Sequence, residues 1–249
     1  MSFTNKVVII TGGSAGIGAT TAVHFAKEGA NVVIVGRNEM NLKKVAEKCQ
    51  EYNADHLIVK ADISNEDDAK KVVEETITKY GKLDVLVNNA GILRSGSILD
   101  GELLNIYDEV MNTNLKAVVV LTCLAAPYLI ETKGNIVNIS SILSKKIKDT
   151  KFVAYCTSKA ALDMFTRGTA MELAPHGVRV NTVHPGPVRT EIFEAANISF
   201  NVEVLKDTVA LRRISDPEEI ADLILYLASD KAKGITGSEF ACDNGDLLS

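Results

Sequence analysis

Short runs of β-branched and aliphatic residues alternate with helical patterns along the whole chain. The runs predict strands at 6–10, 31–35, 56–60, 84–87, 135–139, 179–183 and 238–241. Several of them (VVII, VVIV, VLV) are apolar at nearly every position, the pattern of strands covered on both faces in a parallel sheet. Amphipathic helical stretches fill the intervals. Ser64 with Asp67 suggests a capping box with Asp in place of Glu or Gln. Asp216-Pro217 with Glu219 gives an N-cap, a proline at the first helical position and an acid at the third. Strand–helix–strand repetition implies right-handed crossovers and helices on both faces of one doubly wound parallel sheet of about seven strands, a Rossmann fold of the α/β class. Ligands of such sheets lie beyond the carboxyl ends of the strands. No linker, repeat or low-complexity tract interrupts the alternation. Residues 1–249 therefore read as a single dinucleotide-binding catalytic domain, with a patternless stretch at about 186–213 as a substrate lid.

Composition narrows the partners. The formal net charge is −5 with Lys and Arg dispersed, which offers no footprint for nucleic acid or an anionic membrane. The four cysteines are far apart with no CxxC pair, as expected of reduced thiols and not of a metal cage. The opening MSFTNK runs straight into a strand, without the pattern of a secretory signal. No apolar run is seen to approach the roughly 18 residues needed to span a bilayer. These readings place the protein in the cytoplasm, with no membrane, metal or nucleic-acid partner expected.

Directly after the first strand comes Thr11-Gly12-Gly13-Ser14-Ala15-Gly16-Ile17-Gly18, followed by a helix. Glycines there permit a tight turn and let backbone N–H groups approach a pyrophosphate at the helix N-terminus. The second strand ends Val35-Gly36-Arg37. Gly36 takes the place where an NAD site would carry an acid, and Arg37 suits a 2′-phosphate, so NADP(H) is expected over NAD(H). The lesser alternative for Arg37 is an ordinary solvated turn residue. Asp62, just past the third strand, either accepts from the adenine amine or simply precedes the next helix. Asn88-Asn89-Ala90-Gly91 closes the fourth strand with amides for splayed backbone and room for a flat ring.

Tyr155 and Lys159 lie four apart on a predicted helix from 155 to about 174, so they share a face. Bringing a phenol from pKa ~10 toward ~7 takes roughly 4 kcal/mol of differential stabilisation of the phenolate. A neighbouring ammonium and a positively charged nicotinamide are of the right sign. Ser140-Ser141 at the end of the fifth strand could hold a substrate carbonyl. Asn112-Thr113-Asn114 are poor helix formers inside a helical pattern from 102 to about 130. They mark either a bulge that frees a carbonyl for water or a helix that restarts with Asn114 as its N-cap.

Taken in order, TGGSAGIG at 11–18, Asp62, NNAG at 88–91, Asn114, NISS at 138–141, YCTSK at 155–159 and HPGPVRT at 184–190 resemble the short-chain dehydrogenase/reductase family over essentially the whole length. The resemblance implies that Tyr155 exchanges the proton and Ser141 orients the carbonyl. It implies that Lys159 lowers the tyrosine pKa and holds the nicotinamide ribose, and that Asn114 keeps a water in a proton relay. Gly12, Ser14, Gly16, Ile17, Gly18, Arg37, Asp62, Asn88, Ala90 and Gly91 would bind the dinucleotide. Pro185, Gly186 and Val188 would line the nicotinamide, with Thr190 at its carboxamide. Two departures stand out. The segment from Ser141 to Tyr155 is one residue longer than the family's usual spacing and lacks the glycine after the serines, which leaves Ser140 and Ser141 both open as the carbonyl ligand. Asp243-Asn244-Gly245 replaces the frequent Asp-Gly-Gly.

Residues 142–153 and 187–213 should wall the substrate. Ile142, Leu143, Phe152, Val153, Ile192, Phe193 and Phe200 suggest an apolar ligand. Lys145, Lys146, Lys148 and Lys151 form a basic run in the same loop, either solvated or attracting an anionic carrier. His184 reads as structural. The leading function is an NADP(H)-linked ketone reductase or alcohol dehydrogenase for an apolar cyclic, steroid-like or isoprenoid substrate. A 3-oxoacyl thioester reductase is the rival enzyme, and a non-catalytic dinucleotide-binding regulator the rival of another class. By the resemblance, the chain forms a tetramer or dimer through the helices bearing Asn114 and Tyr155.

Overall fold

The computed structural model describes residues 2–99 and 101–249; Met1 and Asp100 lie outside the described residues. Seven strands form one parallel sheet: β1 (Val7–Thr11), β2 (Asn31–Gly36), β3 (His56–Lys60), β4 (Val85–Asn88), β5 (Asn135–Ile139), β6 (Arg179–Pro185) and β7 (Glu239–Cys242). Their spatial order is β3-β2-β1-β4-β5-β6-β7, so the winding reverses between β1 and β4. The helices are α1 (Gly16–Lys27), α2 (Glu39–Gln50), α3 (Glu66–Tyr80), α4 (Glu102–Met111), α5 (Ala117–Thr132), α6 (Val153–Leu173), α7 (Ile192–Ala195) and α8 (Pro217–Ala228).

Alternation along the strands explains the all-apolar runs. Val8, Ile10, Val32 and Ile34 face one layer with Phe25, Leu42, Ile220 and Ile224, contributed by α1, α2 and α8. Val7, Ile9, Val33 and Val35 face the other, with Val72, Leu121, Leu129 and Ala170 from α3, α5 and α6. Each strand thus feeds two cores, and a polar residue on either face would be buried.

Ends differ from the pattern by a residue or two. The first strand runs one residue further because the Thr11 hydroxyl turns to receive the N–H groups of Asn89 and Ala90, both at 3.0 Å. The cap of α3 is Asn65 and not Ser64: its side chain accepts from Asp67 N (2.9 Å) and Asp68 N (3.2 Å), while the Ser64 hydroxyl donates to Asp62. At α8 the expected start holds, with Pro217 first and Glu219 Oε1 accepting from Asp216 N at 2.9 Å. Between α4 and α5 the helix does not restart at Asn114. Asn112–Lys116 form a π-helical segment within one continuous helical stretch, the bulged alternative.

That stretch, Glu102–Thr132, corrects another expectation. By length and composition it could cross a bilayer, at mean hydropathy 1.6 with 39% of its most apolar window buried. Its sheet-facing residues Ala117, Leu121, Ala125 and Leu129 belong to the core. Outward, α4 exposes Leu104 and Tyr107.

Asp84 ties the start of β4 to β1. Its buried carboxylate receives Val7 N (2.9 Å), Lys6 Nζ (2.8 Å) and Lys82 Nζ (3.0 Å). Burial alone would raise its pKa, but these donors hold it below the ordinary value. The stabilisation is therefore complete above the unfolded-state pKa of about 3.9 and is lost as pH falls through the lower folded value. Asp84→Asn should cost about 2 kcal/mol or more at neutral pH. In urea melts its deficit against the parent chain should shrink below about pH 4, whereas a constant deficit would rule out the charge as the cause.

Candidate active site

Beyond the carboxyl ends of β1 and β4 opens a cavity of 410 Å³. It runs from Arg37 and Asp62, past the glycine turn, to Tyr155, Lys159 and Thr190. Ser14, Ile17, Ala90, Pro185 and Val188 also line it. Gly16, in the left-handed region at φ 50°, begins α1 on the cavity wall. Gly18 lies behind that wall. A Cβ there would stand 2.3 Å from Gly12 O and 2.4 Å from Asn89 Nδ2, so only glycine lets α1 dock against the turn. The cradle fits a dinucleotide: backbone lines its middle, a helix begins there, and Gly91 and Gly186 border the far end.

Arg37 stands at the adenosine end, largely exposed, with Nη1 3.5 Å from Asp62 Oδ2. The other Asp62 oxygen accepts from Ser64 N (3.1 Å) and Ser64 Oγ (2.7 Å). Burial raises the Asp62 pKa, but the Ser64 bonds and the Arg37 charge more than offset it. Asn88 requires a correction. Its side chain is buried away from the cavity, donating to Asn138 Oδ1 at 2.8 Å, and its neighbour Asn89 lines the cavity instead. Successive residues leave a strand on opposite sides, so only one amide of the pair can face the ligand. Asn89 Nδ2 donates to Thr11 O (2.9 Å) and Gly12 O (3.3 Å), holding the glycine turn to β4.

At the reacting end, Tyr155 and Lys159 come from adjacent turns of α6, both buried and both on the cavity wall. The two serines divide. Ser140 lines the cavity, where Ser141 does not, and its Oγ donates to Lys159 O at 3.2 Å. Ser141 Oγ accepts from Leu143 N at 3.1 Å and lies near enough to the Tyr155 phenol to lower its pKa. Burial pushes the Tyr155 phenol up to about 12, against the lowering effect of Ser141. Burial also pulls the Lys159 ammonium down to about 8, against the opposing charge of Asp163. Desolvation is the dominant influence on both groups. Lys159 Nζ donates to Ile139 O at 2.8 Å and stands 5.7 Å from the Tyr155 ring centroid. The phenol stays protonated.

Asn114 is fully buried and lies off the cavity wall. Its Oδ1 accepts from Ile92 N (2.8 Å), and its Nδ2 donates to Ile92 O (2.9 Å) and Ser158 Oγ (3.1 Å). The side chain thus clamps the loop after β4 to the helix carrying Tyr155. Any water held by this residue would have to use its main chain.

The substrate end is walled by Ile142, Leu143, Phe152, Ile192 and Phe193, as expected. Phe200 instead braces Phe193 from behind, with ring centroids 4.7 Å apart, and Val153 begins α6 off the wall. The patternless stretch contributes Val202 and Leu205 from a 3-10 segment. The basic run is largely exposed, and three of its four lysines are ion-paired. Lys145 pairs with Glu239 (2.6 Å) and Asp163 (3.4 Å), and Lys146 and Lys148 pair with Asp246. His184 is structural: buried, with Nε2 2.8 Å from Asp163 Oδ1. Asp163, His184 and Glu239 cluster closely enough to hold a metal ion, but the Lys145 ammonium already bridges the two carboxylates. Asn89, Lys148 and Asp246 were not singled out from sequence as lining residues. Asn89 had a signal in the NNAG motif; Asp246 had none.

Known proteins agree with this geometry. The family model described as "Enoyl-(Acyl carrier protein) reductase" matches residues 12–246. The chain is 35% identical to the 3-oxoacyl-[acyl-carrier-protein] reductase FabG of Thermotoga maritima over 100% of both chains. It is 34% identical to the meso-2,3-butanediol dehydrogenase of Serratia marcescens, over 100% of this chain and 97% of that one. A short chain dehydrogenase from Burkholderia cenocepacia, solved in complex with NADP, superposes with a TM-score of 0.92 at 31% identity, covering 99% of this chain and 100% of that one. The chain belongs to the short-chain dehydrogenase/reductase family. It is an oxidoreductase of that type.

Proposed function

We propose that the chain reduces ketones to secondary alcohols with NADPH, and runs the reverse oxidation with NADP⁺, on an apolar cyclic, steroid-like or isoprenoid substrate. The observation that carries this reading is a buried, protonated Tyr155 beside Lys159 at the end of a cavity whose other end is a glycine cradle with Arg37. Bound NADPH would supply the hydride. Gly12, Ser14, Gly16 and Ile17 hold the pyrophosphate, with Gly18 and Asn89 fixing the turn behind them. Arg37 takes the 2′-phosphate. Pro185, Gly186 and Val188 flank the nicotinamide, Thr190 meets its carboxamide, and Lys159 holds its ribose.

Ser141 and Tyr155 grip the carbonyl oxygen from two sides. As charge develops there, the phenol delivers its proton, which a pKa near 12 keeps in place beforehand. In the oxidation direction, the Lys159 ammonium and the positive nicotinamide favour the phenolate. Asn114 positions the Ile92 loop. The segment 186–213 closes over the apolar end. Outward-facing Leu104, Tyr107, Met164 and Met171 on α4 and α6 suit a dimer or tetramer contact. A 3-oxoacyl thioester substrate has support in the Thermotoga maritima relative. The ion-paired lysine run argues against it, because a polyanionic carrier would find few uncommitted cations. A non-catalytic binding role leaves the Ser141–Tyr155–Lys159 set without a use.

The test is a screen of NADPH oxidation against steroid, isoprenoid, cyclic-ketone, sugar and acyl-thioester carbonyls, in which an apolar ketone should lead. For the cofactor, Arg37→Asp should shift the NADPH-to-NADH preference in kcat/KM by about 10- to 100-fold toward NADH, the worth of one charged hydrogen-bonding group. An unchanged ratio would remove Arg37 from 2′-phosphate recognition.

A further inference from the structure

The loop between β5 and α6 carries its lysines to the substrate end of the cavity, where Lys148 lines the wall beside Leu143 and Phe152. A lysine at an otherwise apolar wall should draw anions. Here it meets Asp246, also on the wall and fully buried. Lys148 hydrogen-bonds Asp246 Oδ2. Lys146 lies 3.7 Å from Oδ1 and donates to the Asp246 carbonyl at 3.2 Å. The Asp246 carboxylate therefore holds Lys148 by a hydrogen bond and Lys146 by a longer ion pair, Lys146 donating also to Ser249 O.

Its placement is built. Asp243 Oδ1 accepts from Gly245 N and Asp243 Oδ2 from Leu247 N, both at 2.9 Å, forming the turn that presents Asp246. That turn cannot retreat, because its base packs on the loop after β6. A Cβ on Gly186 would come within 2.7 Å of Asp243 Cα. A carboxylate fixed in a low-dielectric wall changes the local potential far more than a solvated one.

We propose that Asp246 is a specificity-determining residue: by pairing with Lys146 and Lys148 it tunes the substrate chamber to uncharged carbonyl compounds and against anionic ones. The inference rests on the ketone-reductase reading above and adds the charge class of its substrate.

The experiment compares kcat/KM for a neutral cyclic ketone and a carboxylate-bearing counterpart, 4-methylcyclohexanone and 4-oxocyclohexanecarboxylate, with NADPH. The parent enzyme should prefer the neutral ketone. In D246N the anion-to-neutral ratio should rise about tenfold, and the gain should shrink as salt is raised from about 0.05 to about 0.5 M. A merely structural role for Asp246 would depress both substrates together and leave the ratio within twofold, which would overturn the proposal. Should D246N fail to fold, K148Q decides. It leaves the carboxylate with one cation fewer, so the ratio should fall at least threefold, and an unchanged ratio overturns the proposal as well. Absence of turnover of both ketones by the parent enzyme defeats the ketone-reductase reading itself. Turnover with a charge-blind ratio defeats only this inference.

Discussion

Tyr155→Phe should fold and bind NADPH within about twofold of the parent affinity, yet reduce its ketone about 10³-fold more slowly, within the range a positioned general acid supplies. The ring stays in place, since burial is what holds it: Tyr155 is 8% exposed on the inner face of α6. Only the hydroxyl is lost, and with it the proton. The loss should fall on kcat and kcat/KM alike, because the bond to the carbonyl oxygen strengthens as negative charge develops there. Stopped-flow turnover beside a fluorescence titration of NADPH separates chemistry from binding. A variant retaining more than about a tenth of parent activity would show that another group is the acid.

The second large effect belongs to Lys159. Lys159→Met should weaken cofactor binding and slow turnover together, about 100-fold or more in kcat/KM for NADPH, because the ammonium serves the ribose and the phenol at once. Its ionisation adds a pH signature. Burial favours the neutral amine, so the group is charged below about pH 8 and uncharged above it. The kcat/KM for NADPH, which reports the free enzyme, should accordingly fall as pH rises through about 8. Lys159→Arg keeps its charge across that range and should flatten the fall, whatever it does to the absolute rate. A parent profile flat to pH 10 would contradict the assignment.

How much of this could be read from residues alone depended on the distance over which each feature is decided. The all-apolar runs and the glycine turn were legible because a few adjacent residues determine them: VVII must be covered on both faces, and the turn leads directly from strand to helix. Tyr155 and Lys159 were legible for the same reason, four residues apart on one helix. Ser140 and Ser141 were not separable, because which one borders the cavity and which one meets Leu143 N depends on the path of the loop after β5. Asn88 and Asn89 exchanged roles because a one-residue shift in strand phase inverts which amide faces the ligand. The lysine run was the hardest to judge. Its partners, Asp163, Glu239 and Asp246, lie far along the chain, Asp246 following Lys146 by 100 residues, so a cluster that looks cationic in sequence is largely paired in the fold. The net shift at Tyr155 and Lys159 was not legible because proximity in sequence does not reveal desolvation, which dominates both groups.

The proposed reaction transfers hydride directly to the carbonyl carbon while Tyr155 protonates the carbonyl oxygen. It is tested most directly with NADPH carrying deuterium at the transferable position of the nicotinamide, incubated with the best ketone from the screen. The expected product is an alcohol carrying one deuterium on the carbinol carbon, of a single configuration, formed by the parent enzyme and essentially absent with Tyr155→Phe. Alcohol without deuterium at that carbon, or equal labelled product from both proteins, would contradict it.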